Sequence, residues 1–349
     1  MRSDLTRRSF ASGLVAAMAL PRLALAQSSN ETRRFGVFSL FAPQGLLVES
    51  TQPLLLHFDR QMILVQPESP ATTIRMASGN RLEVTANRDT YLTSNFRVTS
   101  VANEAVTFTL AVPPPSLHGT IRRQYTGTLE LQRAGSALQP IVIMELEAAT
   151  ASIVQAESPA GATLSYLRAQ AIVSRSFLLA ADTGHRGFDF CDTTHCQFLR
   201  EAPPSQAPAA VATRETRSQR LTYNGQPLAA MYSRSCGGHT RTLADLGLPV
   251  KGYPYYAVDC ELCLHHPERW HRALAPATLT TERERLVHNR IHGWSALPSG
   301  VFARSGDGIA GTGVGHGLGL CQRGAAAMAV AGSDHREILS HYYPNTVMA

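Results

Sequence analysis

The stretch HRGFDFCDTTHCQF, residues 185–198, gathers His185, Cys191, His195 and Cys196 in a chain that has six cysteines in all. Soft donors at such density either hold a metal or close a disulfide, and the compartment bears on which. A second set stands in DCELCLHHPERWH, residues 259–271, where Cys260 and Cys263 form a C-x-x-C pair beside His265, His266 and His271. That spacing fits a zinc knuckle, with Cys236 as a further donor, and fits a surface disulfide equally well. Cys236 itself, in SCGGHT next to a histidine, also has the neighbours of a thiol nucleophile.

The compartment is read from the first residues, MRSDLTRRSFASGLVAAMALPRLALAQSS. Arg7 and Arg8 precede an apolar run from Leu14 to Leu20, and the small residues ALA precede Gln27, so residues 1–26 read as an export signal. The pair in TRRSF resembles the address of the twin-arginine (Tat) route, which carries folded proteins. The expectation is a periplasmic or extracellular protein with no membrane span once the signal is removed. Thiols loaded with metal before such export would still be reduced.

Four arginines and one aspartate in that segment carry half of the formal charge of +6. What is left is a weak attraction for polyanions, and the arginines are scattered rather than striped with aromatics, which excludes nucleic acid as a partner. The glycine-rich run GTGVGHGLGLCQRGAAAMAVAG has no Walker-type Lys-Ser/Thr, which argues against a phosphate cradle. Its glycines instead suggest close backbone approach to a ligand or to another segment.

The elements that must position these groups divide into two kinds. Residues 27–139 alternate apolar and polar positions, as in RLEVTANRDTYLTSNFRVTSV and AVTFTLAV, punctuated by Gly, Pro and Asn. That is the pattern of short strands and turns. From about Met144 the character changes. LSYLRAQAIVSRSFLLAA predicts a helix from Thr163 to Ala181, with Glu157 just ahead of it. EAPPSQAPAA reads as a loop, Asn224-Gly225 as a hairpin turn, and a short helix is expected from Gln322. The expected class is α+β: a β-rich N-terminal half, 27–139, and a mixed α/β catalytic core, 140–349.

The blocks YTGTLELQR, LEAATASIVQAESPAG, LRAQAIVSRSF, FDFCDTTHCQF, MYSRSCGGHT, YPYYAVDC and GTGVGHGLGLCQRGAAAMA with EILSHYYPNT occur in an order that resembles the SpoIID/LytB family. The likeness runs from about residue 118 to the end. It implies peptidoglycan chemistry: a lytic transglycosylase that cuts glycan strands between MurNAc and GlcNAc, favouring strands stripped of stem peptides and leaving 1,6-anhydroMurNAc ends. A glycan-binding or amidase-enhancing module is the other role the family name implies.

The resemblance places the catalytic glutamate of V-x-x-S-E-M-P on VQAESPA, hence on Glu157. One carboxylate suffices there, acting first as acid and then as base, whereas hydrolytic glycosidases use two. Gln170, Arg175, Tyr232, Ser235, His316 and Gln322 are expected around the sugar, Gln170 and Arg175 being equally suited to bracing a helix. His185, Cys191, His195 and Cys196 match the types of a zinc set, closed and therefore structural. The chain departs from the family at Ser158, where methionine is usual, and at Ser165, Arg168 and Ala149.

Overall fold

The computed structural model describes residues 31–59, 61–113, 120–250, 252–273, 279, 281–306 and 308–349. The expected export signal lies outside the described residues. Among them the chain opens with β1 (Thr32–Gly36), β2 (Gly45–Glu49), β3 (Leu54–Phe58), β4 (Gln61–Val65), β5 (Thr72–Met76) and β6 (Leu82–Ala86). β7 (Asp89–Thr93), β8 (Phe96–Thr99), β9 (Val106–Val112), β10 (Ile121–Ala134) and β11 (Ala137–Glu145) follow. Burial alternates along β3 and β6, so the period-two pattern is the buried face of a sheet.

The sheet runs in the order β12-β1-β11-β10-β9-β2-β5-β6-β7, where β12 (Phe190–Cys191) is a late strand, and β3, β4 and β8 join it through β10. β10 is shared between two sets of neighbours. Its first half, to Gly127, pairs with β9, and its second half, from Thr128, pairs with β11 and β8. Gly127 stands at the change-over, where a Cβ would collide with the Ile143 carbonyl oxygen. The missing side chain lets the two halves of the sheet approach there.

β11 leads directly into α1 (Leu146–Glu157), so a boundary at 139/140 falls inside a strand, and residues 31–349 form one compact unit. The class is α+β. Leu146, Ala149, Thr150, Ile153 and Val154 are buried at helical spacing. The helix stops at Ser158 ahead of Pro159, which lacks the N–H a further turn needs. Glu157 lies ahead of the 164–180 helix, as expected, and is also the last residue of α1, a helix the sequence did not lead us to expect.

α2 (Leu164–Ala180) confirms the expected helix, with the Thr163 hydroxyl accepting from the Tyr166 N–H as N-cap. It is buried nearly all round, which explains why its polar residues Gln170, Ser174 and Arg175 are inside. The stretch read as a loop, 201–210, is irregular as far as Ala207, and its last residues open α3 (Pro208–Glu215), begun by a proline whose missing N–H costs nothing there. β13 (Leu221–Tyr223) and β14 (Gln226–Pro227) form the expected hairpin; Asn224 and Gly225 have φ of 50° and 75°, as the mirror-image turn requires.

β15 (Tyr232–Ser233), α4 (Glu261–His265), β16 (Arg269–Arg272), α5 (Glu282–His292), β17 (Phe302–Ser305) and β18 (Gly308–Thr312) come next. β19 (Leu320–Cys321) pairs in parallel with β15 and runs into α6 (Gln322–Val330), followed by α7 (His335–Tyr342) and β20 (Val347–Met348). Two apolar cores result. One fills the curled sheet; the other surrounds α2 and includes Cys236, Cys260, Cys263 and Cys321.

A methyl group at position 127 meets a fixed carbonyl. Gly127→Ala is expected to lose about 1–3 kcal/mol of stability in thermal or chemical unfolding. Wild-type stability in that variant would show that the change-over does not depend on the absent side chain.

Candidate functional site

A cleft of about 930 Å³ opens where the end of α1, the 194–198 segment, β15, the glycine-rich loop and the start of α6 converge. Among the described residues lining it, Glu157 is the single carboxylate. Glu157 Oε1 accepts a 2.8 Å hydrogen bond from the Phe198 N–H. Its own backbone carbonyl accepts from Gln322 Nε2 at 3.1 Å, which joins the start of α6 to the end of α1.

Several influences set the proton affinity of Glu157. Burial is the largest and raises its pKa, while the Phe198 N–H, neighbouring Tyr232 and the more distant Arg200 pull it back. The net direction is upward. Its place at the C-terminal end of α1 works the same way, because that end of a helix disfavours a negative charge. The side chain is therefore held in its acid form above the ordinary glutamate range.

Tyr232 stands beside it. Its hydroxyl is buried without a hydrogen-bond partner of good geometry, and burial together with the Glu157 charge pushes its pKa up. His316 lines the same cleft from the glycine-rich loop. Burial takes its pKa down to about 4, so the ring is neutral near pH 7. Its Nδ1 accepts from the Leu318 N–H at 3.0 Å, and the Tyr232 backbone is its other partner. The ring thus fixes the loop against the strand that carries Tyr232. Trp294 lies 6.3 Å from it, ring to ring, and Phe198 is covered at 4.5 Å by the Arg200 guanidinium, giving the cleft aromatic walls.

Gln170 and Arg175, expected to meet the sugar, do not reach the cleft. Gln170 is fully buried and bonds Ser174 and Tyr166, with Gln322 at 3.5 Å, so it steadies Gln322 from behind. Arg175 is also fully buried; it holds Glu147 through two bonds of 2.8 and 2.6 Å and the carbonyls of Gln219 and Thr213. It binds α1, α2 and α3 together. Ser235 is buried away from the cleft, 3.6 Å from the Cys263 sulfur. Tyr232, His316 and Gln322 do line the cleft with Glu157.

His185, Cys191, His195 and Cys196 come together on the cleft's flank. Donor separations are 3.3 Å for His185 Nε2 to Cys196 Sγ, 3.4 Å for His195 Nδ1 to Cys196 Sγ and 3.5 Å between the sulfurs. Ligands about 2.0–2.3 Å from one tetrahedral zinc stand roughly 3.6–3.8 Å apart, so the set fits that ion. Adjacent His195 and Cys196 converge because the chain turns at Thr193, whose carbonyl accepts from the Cys196 N–H at 3.0 Å. The neighbouring Cys196 thiol pulls the Cys191 thiol below its ordinary range, towards the thiolate a metal needs.

Two residues that the sequence did not place with either donor set complete the arrangement. Asp192 accepts from the Phe38 N–H at 2.9 Å and from Arg123 at 2.6 Å, tying the donor loop to the sheet; both side chains are nearly buried. Cys321 joins Cys236, Cys260 and Cys263 in a second group whose sulfurs all lie within 4.8 Å of one another. Cys236, packed in that group and 6% exposed, has no room to attack a substrate.

Residues 134–223 match the model of the SpoIID family, described as stage II sporulation protein. That span holds Glu157 and the first donor set; the glycine-rich loop and the second set lie beyond it. An uncharacterized protein of Brachyspira hyodysenteriae is 25% identical over 223 residues, covering 51% of this chain and 59% of the relative. The chain thus matches about three-fifths of the length of that curated relative. No helix among the described residues is long and apolar enough to cross a membrane.

Arg175→Met leaves Glu147 without its partner and is expected to cost about 3–5 kcal/mol, lowering Tm by roughly 10 °C. Substrate affinity of the folded fraction should not change. A raised KM at unchanged Tm would return Arg175 to the binding site.

Proposed function

We propose that the protein is a peptidoglycan lytic transglycosylase with Glu157 as its only acid and base. The observation that carries this reading is a single buried carboxylic acid, biased towards its protonated form, in an aromatic-walled cleft. Glycoside hydrolysis uses a second carboxylate to activate water or to form a glycosyl intermediate. Intramolecular transfer needs neither.

In this mechanism Glu157 gives its proton to the glycosidic oxygen as the bond from that oxygen to muramic C1 breaks. The Glu157 carboxylate then accepts the proton of the muramic C6 hydroxyl as its oxygen closes on C1. The acid is regenerated, and the strand gains a 1,6-anhydro end without consuming water. Tyr232, whose buried hydroxyl stands beside Glu157, is suited to orient the carboxyl group.

Arg234 and Arg323 line the cleft, paired with Glu268 at 3.0 and 3.8 Å, and their excess positive charge would favour strands without stem peptides, whose lactyl groups end in free carboxylates. An amidase is the class of enzyme that would produce such strands. The first donor set supports a structural zinc, since four protein ligands leave no open position. Zinc there would hold Cys196, two residues before the Phe198 N–H that grips Glu157. This work lies outside the cytoplasm, in keeping with residues 1–26 as an export signal.

Four outcomes are expected. Mass spectrometry of stripped glycan strands treated with the protein should find anhydro-muramic ends, lost with Glu157→Gln; strands that bind but stay intact would instead support a binding or amidase-enhancing module. The rate should fall as pH rises through the raised Glu157 pKa. Because that pKa is higher folded than unfolded, ionising Glu157 destabilises the fold, so Glu157→Gln should melt at or above the wild-type temperature at alkaline pH. A lower melting point there would contradict the assigned environment. Finally, Arg234→Ala should raise KM for stripped strands about two- to five-fold with kcat unchanged, as fits an exposed charge pair.

A further inference from the structure

The four cysteines outside the first donor set are not scattered thiols. Cys236 follows β15, Cys260 caps α4, Cys263 lies in its first turn, and Cys321 ends β19 and caps α6. All four are buried and their sulfurs are mutually within 4.8 Å. Cys263 and Cys321 stand 3.6 Å apart, sulfur to sulfur. That exceeds the roughly 2.05 Å of a disulfide and matches the ~3.8 Å between thiolates that share one tetrahedral zinc.

The surroundings are those of bound thiolates. The Cys236 and Gly324 N–H groups donate to Cys321 Sγ at 3.4 and 3.5 Å, and the Tyr342 hydroxyl donates to Cys260 Sγ at 3.5 Å. Ser235 Oγ lies 3.6 Å from Cys263 Sγ. Such donors orient ligands and offset their charge. Gly324 shows how tightly the site is drawn: a Cβ there would collide with Cys260 Sγ and Tyr342 Oη, although glycine inside a helix costs about 1 kcal/mol.

We infer that Cys236, Cys260, Cys263 and Cys321 form a second, all-thiolate structural zinc site. Binding exchanges four thiol protons for one zinc ion, with no change of oxidation state. Complete burial and four protein ligands leave no position for water or substrate. The site clamps the part of the cleft wall formed by β15 and the start of α6. Cys321 directly precedes Gln322, which bonds the Glu157 carbonyl, and Cys236 adjoins Ser235, whose N–H and carbonyl bond Val314 at 3.1 and 2.8 Å at the foot of the loop bearing His316.

The test is metal analysis of the purified full-length chain together with its Cys263→Ser and Cys196→Ser variants. Two zinc ions per wild-type chain and one in each variant are expected, and zinc-edge X-ray absorption of Cys196→Ser should show a shell of sulfur alone. Failure of the first site would appear separately, as a zinc content that Cys196→Ser leaves unchanged and Cys263→Ser abolishes. Should Cys263→Ser not fold, peptide mapping of the wild type keeps the test open: all four thiols should be recovered unlinked, becoming open to alkylation only after chelation. Disulfides within this group, iron in place of zinc, or zinc content insensitive to Cys263→Ser would overturn the inference.

Discussion

The structure depends on keeping one carboxylic acid where a charge is unwelcome. Glu157 ends a helix whose dipole opposes its ionisation, in a wall that excludes most of the water that would solvate it. A single backbone donor, the Phe198 N–H, holds the side chain, and Gln322 holds the backbone behind it. Much of the surrounding architecture fixes those two donors.

Phe198 is reached through the 185–198 segment, which is anchored at both levels of structure. β12 adds in parallel to β1, and Asp192 ties the same loop to Arg123 on β10, so the curled sheet becomes the platform for the first donor set. Gln322 is reached through the second core, where Cys321 starts α6 against α4 and α7. Gln170 on α2 lies between, buried, with its oxygen facing both Tyr166 and Gln322. The two walls of the cleft therefore belong to different cores and meet at Glu157.

Much of this was legible in the sequence where local rules dominate. Alternation gave the strands, Asn224-Gly225 the hairpin turn, and the periodicity after Thr163 a helix whose ends sit where expected. α1 was missed although Leu146, Ala149, Ile153 and Val154 have helical spacing, because it continues from β11 with no capping side chain to mark its start. α3 was hidden by the prolines before it, although proline suits a first turn. Gln170, Arg175 and Ser235 were expected around the sugar from their positions in the family resemblance, with bracing an equal alternative for Gln170 and Arg175. The structure buries them against Gln322, Glu147 and Cys263, pairings that only tertiary packing creates. Cys321 escaped for the same reason, since nothing local links it to Cys236.

The presence of one carboxylate rather than two makes a chemical claim: the nucleophile comes from the substrate and not from solvent. Digestion of stripped glycan strands in water enriched in oxygen-18 tests this directly. Newly formed ends should carry no heavy oxygen and weigh one water less than hydrolytic ends. One oxygen-18 per cut would mean that water attacks C1, and a lone Glu157 would no longer explain the reaction.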